Sequence, residues 1–302
     1  MSNKKIMKGN QSFTLFLMTK KGFSVLHELV GKGYAGNIDK VIISHDKGVL
    51  NDYYAELYQE CQKAGIPVFD RKDEVTIESA YCIAIGWRWL ISLTDQISLI
   101  VCHDSLLPKY RGFAPLVNML INKEPCLGVT ALFASKEYDK GDIIDQEKID
   151  VTYPIKIEEA IDMIAPLYSK LVLGIVEKVL EKGFLPAIPQ SEIDSSYSLW
   201  RDEDDYRIDW TQSSCDVQQF IFSVGFPYKG ASTMMGNVIV RVLDCELFDD
   251  VSIENRVPGK VIFIENNCPV VVCGKGLLKL TKVCSDDGIS ILPLNQFRVR
   301  FS

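Results

Sequence analysis

The sequence has only three histidines, His27, His45 and His103, and no Cys-x-x-Cys pair among its nine cysteines. So few imidazoles and such scattered thiols leave no ligand spacing of the kind zinc sites use, and an odd cysteine count makes no disulfide framework. Reduced thiols in a cytoplasm are expected, and no metal. Positive charge is short as well. Lys and Arg number 33 against 40 Asp and Glu, a net charge of −7, which argues against a chain that grips nucleic acid mainly through phosphates. The apolar run near the start, Phe13 to Met18, is cut off by Lys20 and Lys21. It is too short for a secretory core or a bilayer span, so no membrane partner is expected. No Walker A loop occurs. The single Gly-x-Gly-x-x-Gly, Gly31 to Gly36, follows a helical pattern and precedes a strand, the reverse of the dinucleotide arrangement, and reads as a helix C-cap and turn.

What is present is a long alternation of short apolar runs and amphipathic stretches. After a polar leader at residues 1–11, Phe13 to Thr19 reads as a strand, Phe23 to Val30 as a helix and Lys40 to Ser44 as a strand. Residues 49–64 read as a helix, and Ile66 to Phe69, Tyr81 to Ile85 and Leu99 to Cys102 as strands. This alternation predicts an α/β fold, a mostly parallel sheet with helices on both faces. Ile157 to Glu181 is a long helical pattern with Pro166 inside it, where a kink or break is expected. A proline-bearing polar segment from Phe184 to Trp210 reads as a linker, and the strand-rich remainder, punctuated by Asn266-Asn267 and Gly274-Lys275-Gly276, reads as a small barrel. Domains of residues 1–204 and 205–302 follow.

The stretch from Ser98 to Asp145 carries the chemistry. A buried strand delivers His103 into a loop of Pro, Lys, Tyr, Arg and Gly, and a second apolar run, Val129 to Ala134, leads to a turn bearing Asp139 and Asp142. Ligands in α/β sheets bind beyond the carboxyl ends of strands, so a histidine and a carboxylate there are well placed for proton transfer. His27, inside a helix, and His45, after the second strand, read as structural or solvated residues.

His-x-Ser-Leu-Leu-Pro-x-Tyr-Arg-Gly at 103–112, then Gly-Val-Thr at 128–130 and Asp-x-Gly-Asp-Ile-Ile at 139–144, resembles the 10-formyltetrahydrofolate-dependent formyltransferase family in order and spacing. That family includes methionyl-tRNA, glycinamide ribonucleotide and sugar N-formyltransferases. The Ile-Asp-Trp at 208–210 and Phe-Pro-Tyr-Lys-Gly-Ala at 226–231 extend the resemblance toward the end of the chain. It implies a Rossmann-like catalytic domain followed by an OB-like β-barrel.

The resemblance also implies roles. His103 and Asp139 would be catalytic, with Asp139 orienting His103. Gly86, Trp87, Arg88, Leu106, Leu107, Tyr138 and Gly141 would line the site of the co-substrate, 10-formyltetrahydrofolate. Lys109 and Arg111 would meet folate glutamates or substrate phosphates, and Trp200 and Arg201 the nucleotide of a nucleotide-linked amino sugar. The loop and the Ser-Leu-Trp-Arg-Asp-Glu-Asp-Asp-Tyr segment at 198–206 are similar to the sugar branch, so the expected reaction is formylation of an amino-deoxy sugar for surface glycans. The 4-amino-4,6-dideoxy type is the family-level expectation, with methionyl-tRNA formyltransferase and a non-catalytic folate or nucleotide binder as alternatives, and a homodimer compatible with all three. One departure stands out: where the family has Asn-x-His, this chain has Val101-Cys102-His103. The asparagine amide helps hold the formyl oxygen, so another donor is expected to take its place, and Val101→Asn to leave turnover level or lower.

Overall fold

The computed structural model describes residues 12–302 apart from Leu93 and Asp95; the polar leader at residues 1–11 lies outside the described residues. The first unit is a seven-stranded sheet in the order β3-β2-β1-β4-β5-β7-β8. These strands are β1 (Phe13–Leu17), β2 (Ile38–Ile43), β3 (Val68–Asp70), β4 (Tyr81–Ile85), β5 (Ser98–His103), β7 (Cys126–Phe133) and β8 (Ile143–Asp150), with the short β6 (Arg111–Gly112) outside the sheet. The first five run parallel, whereas β7 is antiparallel to both β5 and β8. β1 and β4 are spelled entirely by buried residues, which suits strands covered on both faces.

Strand order reverses between β1 and β4, which opens a crevice at their carboxyl ends. Right-handed crossovers through α1 (Thr19–Gly31) and α2 (Tyr54–Ala64) place both helices on one face. Their buried residues share a cluster with α3 (Pro115–Ile121) and α4 (Ile157–Lys182). Helices on both faces were expected from the alternation. The opposite face is instead packed by irregular chain from the crossovers after β3 and β4, where Val75, Ile77, Trp87 and Ile91 lie on Phe16, Ile42, Cys82 and Ala84. Those crossovers are too short in amphipathic pattern to make a helix. Pro166 does not split α4, which runs unbroken over 26 residues. Gly33, at φ +85° after α1, confirms that the Gly-x-Gly-x-x-Gly stretch ends a helix.

The segment after α4 is more than a linker. β9 (Tyr197–Ser198) pairs in parallel with β6, Ile188 bridges Ile143, and the chain enters the second unit at Arg207, which bridges Ser232. There, α5 (Ser214–Ser223) is capped by the Ser213 hydroxyl, which accepts from the Asp216 amide. A five-stranded antiparallel sheet follows, in the order β10-β11-β14-β13-β12: β10 (Ala231–Met235), β11 (Val238–Phe248), β12 (Val261–Glu265), β13 (Cys268–Val272) and β14 (Leu277–Ser285). Asn266 and Asn267 both adopt positive φ, the geometry a tight hairpin between β12 and β13 requires. The last residues close the sheet on itself. Met234 and Ser302 exchange backbone bonds on the β10 edge, while Phe301 donates to Gly259 and Val299 accepts from Val261 at the other. Both edges are therefore paired, as in a small barrel.

Candidate active site

His103 is the last residue of β5 and is 7% exposed. Its Nε2 lies 2.7 Å from the Tyr110 carbonyl oxygen. A carbonyl only accepts, so Nε2 carries the proton and the neutral ring keeps a lone pair on Nδ1. Nδ1 faces the Asp139 carboxylate at 3.6 Å. That distance serves an ion pair with a protonated ring but is too long for a hydrogen bond. The ring is thus oriented by the Tyr110 carbonyl, and Asp139 stands ready for the imidazolium, a division of labour that differs from the expectation that Asp139 itself orients His103.

Asp139 is placed by the β7–β8 turn at φ +54°, and its Oδ2 accepts from the Gly112 amide at 2.8 Å. Gly112 sits at φ +100°, and a Cβ on it would come within 2.7 Å of the Ser198 carbonyl oxygen. Only glycine fits there. Tyr110 and Ala114 also hold positive φ, so left-handed backbone concentrates around this site. Asp142 is exposed and gives its carbonyl to the Phe133 amide, the turn role expected of it.

Several residues expected to bind ligand do other work. Arg111 is fully buried: Nε and Nη2 donate to Gln190 Oε1 at 3.1 and 3.0 Å, and Nη1 pairs with Glu192 at 3.0 Å. It ties the 190s segment to the catalytic loop and has no free face for a phosphate. Leu107 is buried, its amide donating to Thr130 Oγ1 and its carbonyl accepting from Gln146, while Leu106 rests on Gly128. Leu107 therefore offers backbone, not side chain, to any pocket. Trp87 is turned edge-on to Phe16, with centroids 5.2 Å apart, and belongs to the packing of the second face; its buried Nε1 has no partner. Arg88 pairs with Asp46 at 2.8 Å, across the crevice. Gly86 and Gly141 act through backbone: Gly86 at φ +64° packs against Met18 and Thr19, and a Cβ on Gly141 would strike the Phe133 carbonyl. Lys109 is exposed, and Tyr138 stands exposed beside Phe113, with ring centroids 5.8 Å apart, at the mouth of the site.

Trp200 and Arg201 do come together. They line a cavity of about 280 Å³ with Tyr110, Asn118, Asn122 and Ser198. Tyr110 therefore joins this cavity to His103. Arg201 donates to the Asp205 carbonyl at 2.8 Å and to Asn118 at 3.1 Å, leaves its buried Nε unpaired, and has its guanidinium pushed down from the ordinary value by burial. Trp200 is exposed over the opening.

Position 101 offers no hidden donor. Val101 is half-buried on the same face of β5 as His103, and its cross-strand neighbours are Ala84 and Leu132. The side chains paired with Val101 are apolar, so a replacement donor would have to be a backbone amide or a hydroxyl from elsewhere.

Two further residues lay outside the expected set. Asp104 sits behind His103 with Oδ2 2.6 Å from Lys21 Nζ and Oδ1 2.5 Å from the Tyr168 hydroxyl. Gln190 bonds to the turn holding Asp139. The Asp following His103 was a signal for the first; nothing short of the fold signals Gln190.

Among the described residues, no helix is long and apolar enough to cross a membrane, and no cluster of His, Cys, Asp and Glu is placed to hold a metal. Comparison with known proteins matches two models in chain order, formyl transferase at residues 42–171 and the formyl transferase C-terminal domain at residues 201–297. A methionyl-tRNA formyltransferase from Alkaliphilus oremlandii is 28% identical over 60% of this chain, and the match spans only 57% of that relative's length. One from Streptococcus agalactiae is also 28% identical, over 75% of this chain and 71% of its own. Among solved structures, an N-formyltransferase from Helicobacter canadensis, in complex with folinic acid and dTDP-3-aminofucose, shares the fold with a TM-score of 0.64. It is 15% identical, over 89% of this chain and 98% of that one. The motif that ends β5 and the carboxylate turn after β7 fall within the first matched segment and strands β10 to β14 within the second, and the chain belongs to the formyl transferase family.

Proposed function

We propose that this chain transfers the formyl group of 10-formyltetrahydrofolate to the amine of a nucleotide-linked amino-deoxy sugar. The observation that carries the reading is the pairing of a basic His103 Nδ1 with the Asp139 carboxylate, 3.6 Å apart, beside a cavity rimmed by Trp200 and Arg201. As the amine nitrogen bonds to the formyl carbon, His103 Nδ1 takes the amine proton and the Asp139 charge stabilises the resulting imidazolium. When the bond from the formyl carbon to folate N10 breaks, the same proton goes to N10. Trp200 presents an aromatic face to a base, and Arg201 a guanidinium to phosphate.

Methionyl-tRNA is the second reading, favoured by the 28% identity to curated enzymes acting on it. A net charge of −7 weighs against a tRNA acceptor, whose binding draws on many phosphate contacts. The deciding experiment incubates the protein with 10-formyltetrahydrofolate and either dTDP-, UDP- and CMP-linked amino sugars or methionyl-tRNA. A gain of one formyl group by mass on a sugar is expected; formylation of methionyl-tRNA alone would replace the reading.

A further inference from the structure

Gln190 lies in the polar segment after α4 and makes four side-chain hydrogen bonds. Its Nε2 donates to the carbonyl oxygens of Asp139, at 2.7 Å, and Gly141, at 2.8 Å. Its Oε1 accepts from Arg111 Nε at 3.1 Å and Nη2 at 3.0 Å. The carboxamide is thereby saturated: both amide protons and both lone pairs are used.

These bonds close a ring around the Asp139 carboxylate. Asp139 holds a left-handed backbone, which aspartate adopts more readily than most side chains and which here is tied down from two sides. Gln190 grips that backbone from one side. On the other, Gln190 anchors the fully buried Arg111, and the next residue, Gly112, donates its amide to Asp139 Oδ2. One side chain thus fixes the main chain of Asp139 and the loop that holds its carboxylate. The surrounding strap is itself anchored, by the Ile143–Ile188 bridge on one side and the β6–β9 pairing on the other.

We propose that Gln190 is a positioning residue: through its bonds to Asp139, Gly141 and Arg111 it sets the distance and direction of the Asp139 carboxylate relative to His103. Its effect on turnover rests on the formyl-transfer reading above; its effect on the His103 ring does not. Glutamine is required because the site needs a donor toward two carbonyls and an acceptor toward a guanidinium in one planar group. A glutamate keeps the acceptor face for Arg111 and loses the donor face.

The test compares Gln190→Glu and Gln190→Ala with the unaltered chain. Gln190→Glu retains the buried Arg111 contact, so it remains informative where Gln190→Ala fails to fold. With only three histidines, labelling with 15N-histidine resolves every ring, and His27 and His45, paired elsewhere with Glu60 and Asp52, serve as internal references. In Gln190→Glu the His103 Nδ1 resonance should move while those of His27 and His45 stay in place. The turnover number should fall about 10- to 100-fold, the scale set by misplacing a catalytic group by an ångström, with both Michaelis constants within threefold. An unmoved His103 resonance overturns the proposal, as does a turnover within threefold of the unaltered chain. Should the unaltered chain formylate no acceptor at all, the formyl-transfer reading fails, and the ring resonance still decides the role of Gln190.

Discussion

Val101 stands where the resemblance to the family leads one to expect an asparagine. A tetrahedral intermediate puts negative charge on the former formyl oxygen, and losing one preorganised donor of that charge costs about 100- to 1000-fold in turnover. Val101 shares the face of β5 with His103, is half-buried, and has Ala84 and Leu132 beside it, so neither side chain paired with it makes up the loss. Of the two outcomes, the apolar neighbours favour the one in which the amide is simply lost. Val101→Asn should raise turnover at least tenfold without changing affinity for folate, since the amide enters a partly open position and displaces no core contact. Single-turnover kinetics would measure it, and level or reduced turnover would mean a donor arrives from the loops or from the substrate. His103 and Asp139 stood out in sequence because His103 ends one apolar run and Asp139 lies in the turn after another, each inside a motif that resembles the family's. Arg111 was misread for a physical reason: a guanidinium in a polar loop suits a phosphate and a buried carboxamide equally, and Gln190, nearly eighty positions away, settles it.

At the scale of elements, strands spelled by continuous apolar runs were readable, and so was the switch from α/β to all-β. β8 was not, because Ile143–Asp150 runs through four consecutive polar residues, Asp145 to Lys148, and buries no residue fully. Its pairing with β7 comes from the turn at Gly141. The Asp104 network was equally hidden, since it joins three elements: β5 through Asp104, α1 through Lys21 and α4 through Tyr168. Burial disfavours the Asp104 carboxylate, but Lys21 and the Tyr168 hydroxyl outweigh it and hold its pKa below the ordinary value. Burial beside Asp104 pushes the Tyr168 phenol well up, so it stays a donor. A carboxyl group with a depressed folded pKa stabilises the fold above its unfolded value of about 3.9, and that contribution disappears as pH falls through the folded value. Asp104→Asn, which leaves Lys21 without its partner, should cost about 3 kcal/mol at pH 7. The gap between the two proteins in urea unfolding should narrow steadily as pH is lowered below about 4. A gap unchanged down to pH 3 would show that Asp104 is not the charged member of the network.

For the whole molecule, the candidate site is an edge property: it gathers the carboxyl ends of β4 and β5, the turn after β7 and the strap that leads into the barrel. The strap read as a linker in sequence because it is polar and interrupted by prolines. Its binding to β6 depends on a buried arginine that no local pattern reveals. That placement brings Trp200, 62% exposed, over a cavity whose other wall is α3 and whose floor, Tyr110, also carries the carbonyl that orients His103. A ligand occupying the cavity would therefore lie against Tyr110, whose carbonyl orients His103, and away from Leu106, which rests on Gly128 near the start of β7. Trp200→Ala should thus raise the Michaelis constant for the nucleotide-linked sugar by about tenfold, the value of one stacked base, and leave that for 10-formyltetrahydrofolate within twofold. Arg201 keeps its bonds to Asn118 and Asp205 in this variant, so a change in both constants would point to collapse of the strap rather than loss of a stacking surface. If neither constant moved, the aromatic face would have no ligand, and the acceptor would have to enter across the Arg88–Asp46 side of the crevice instead.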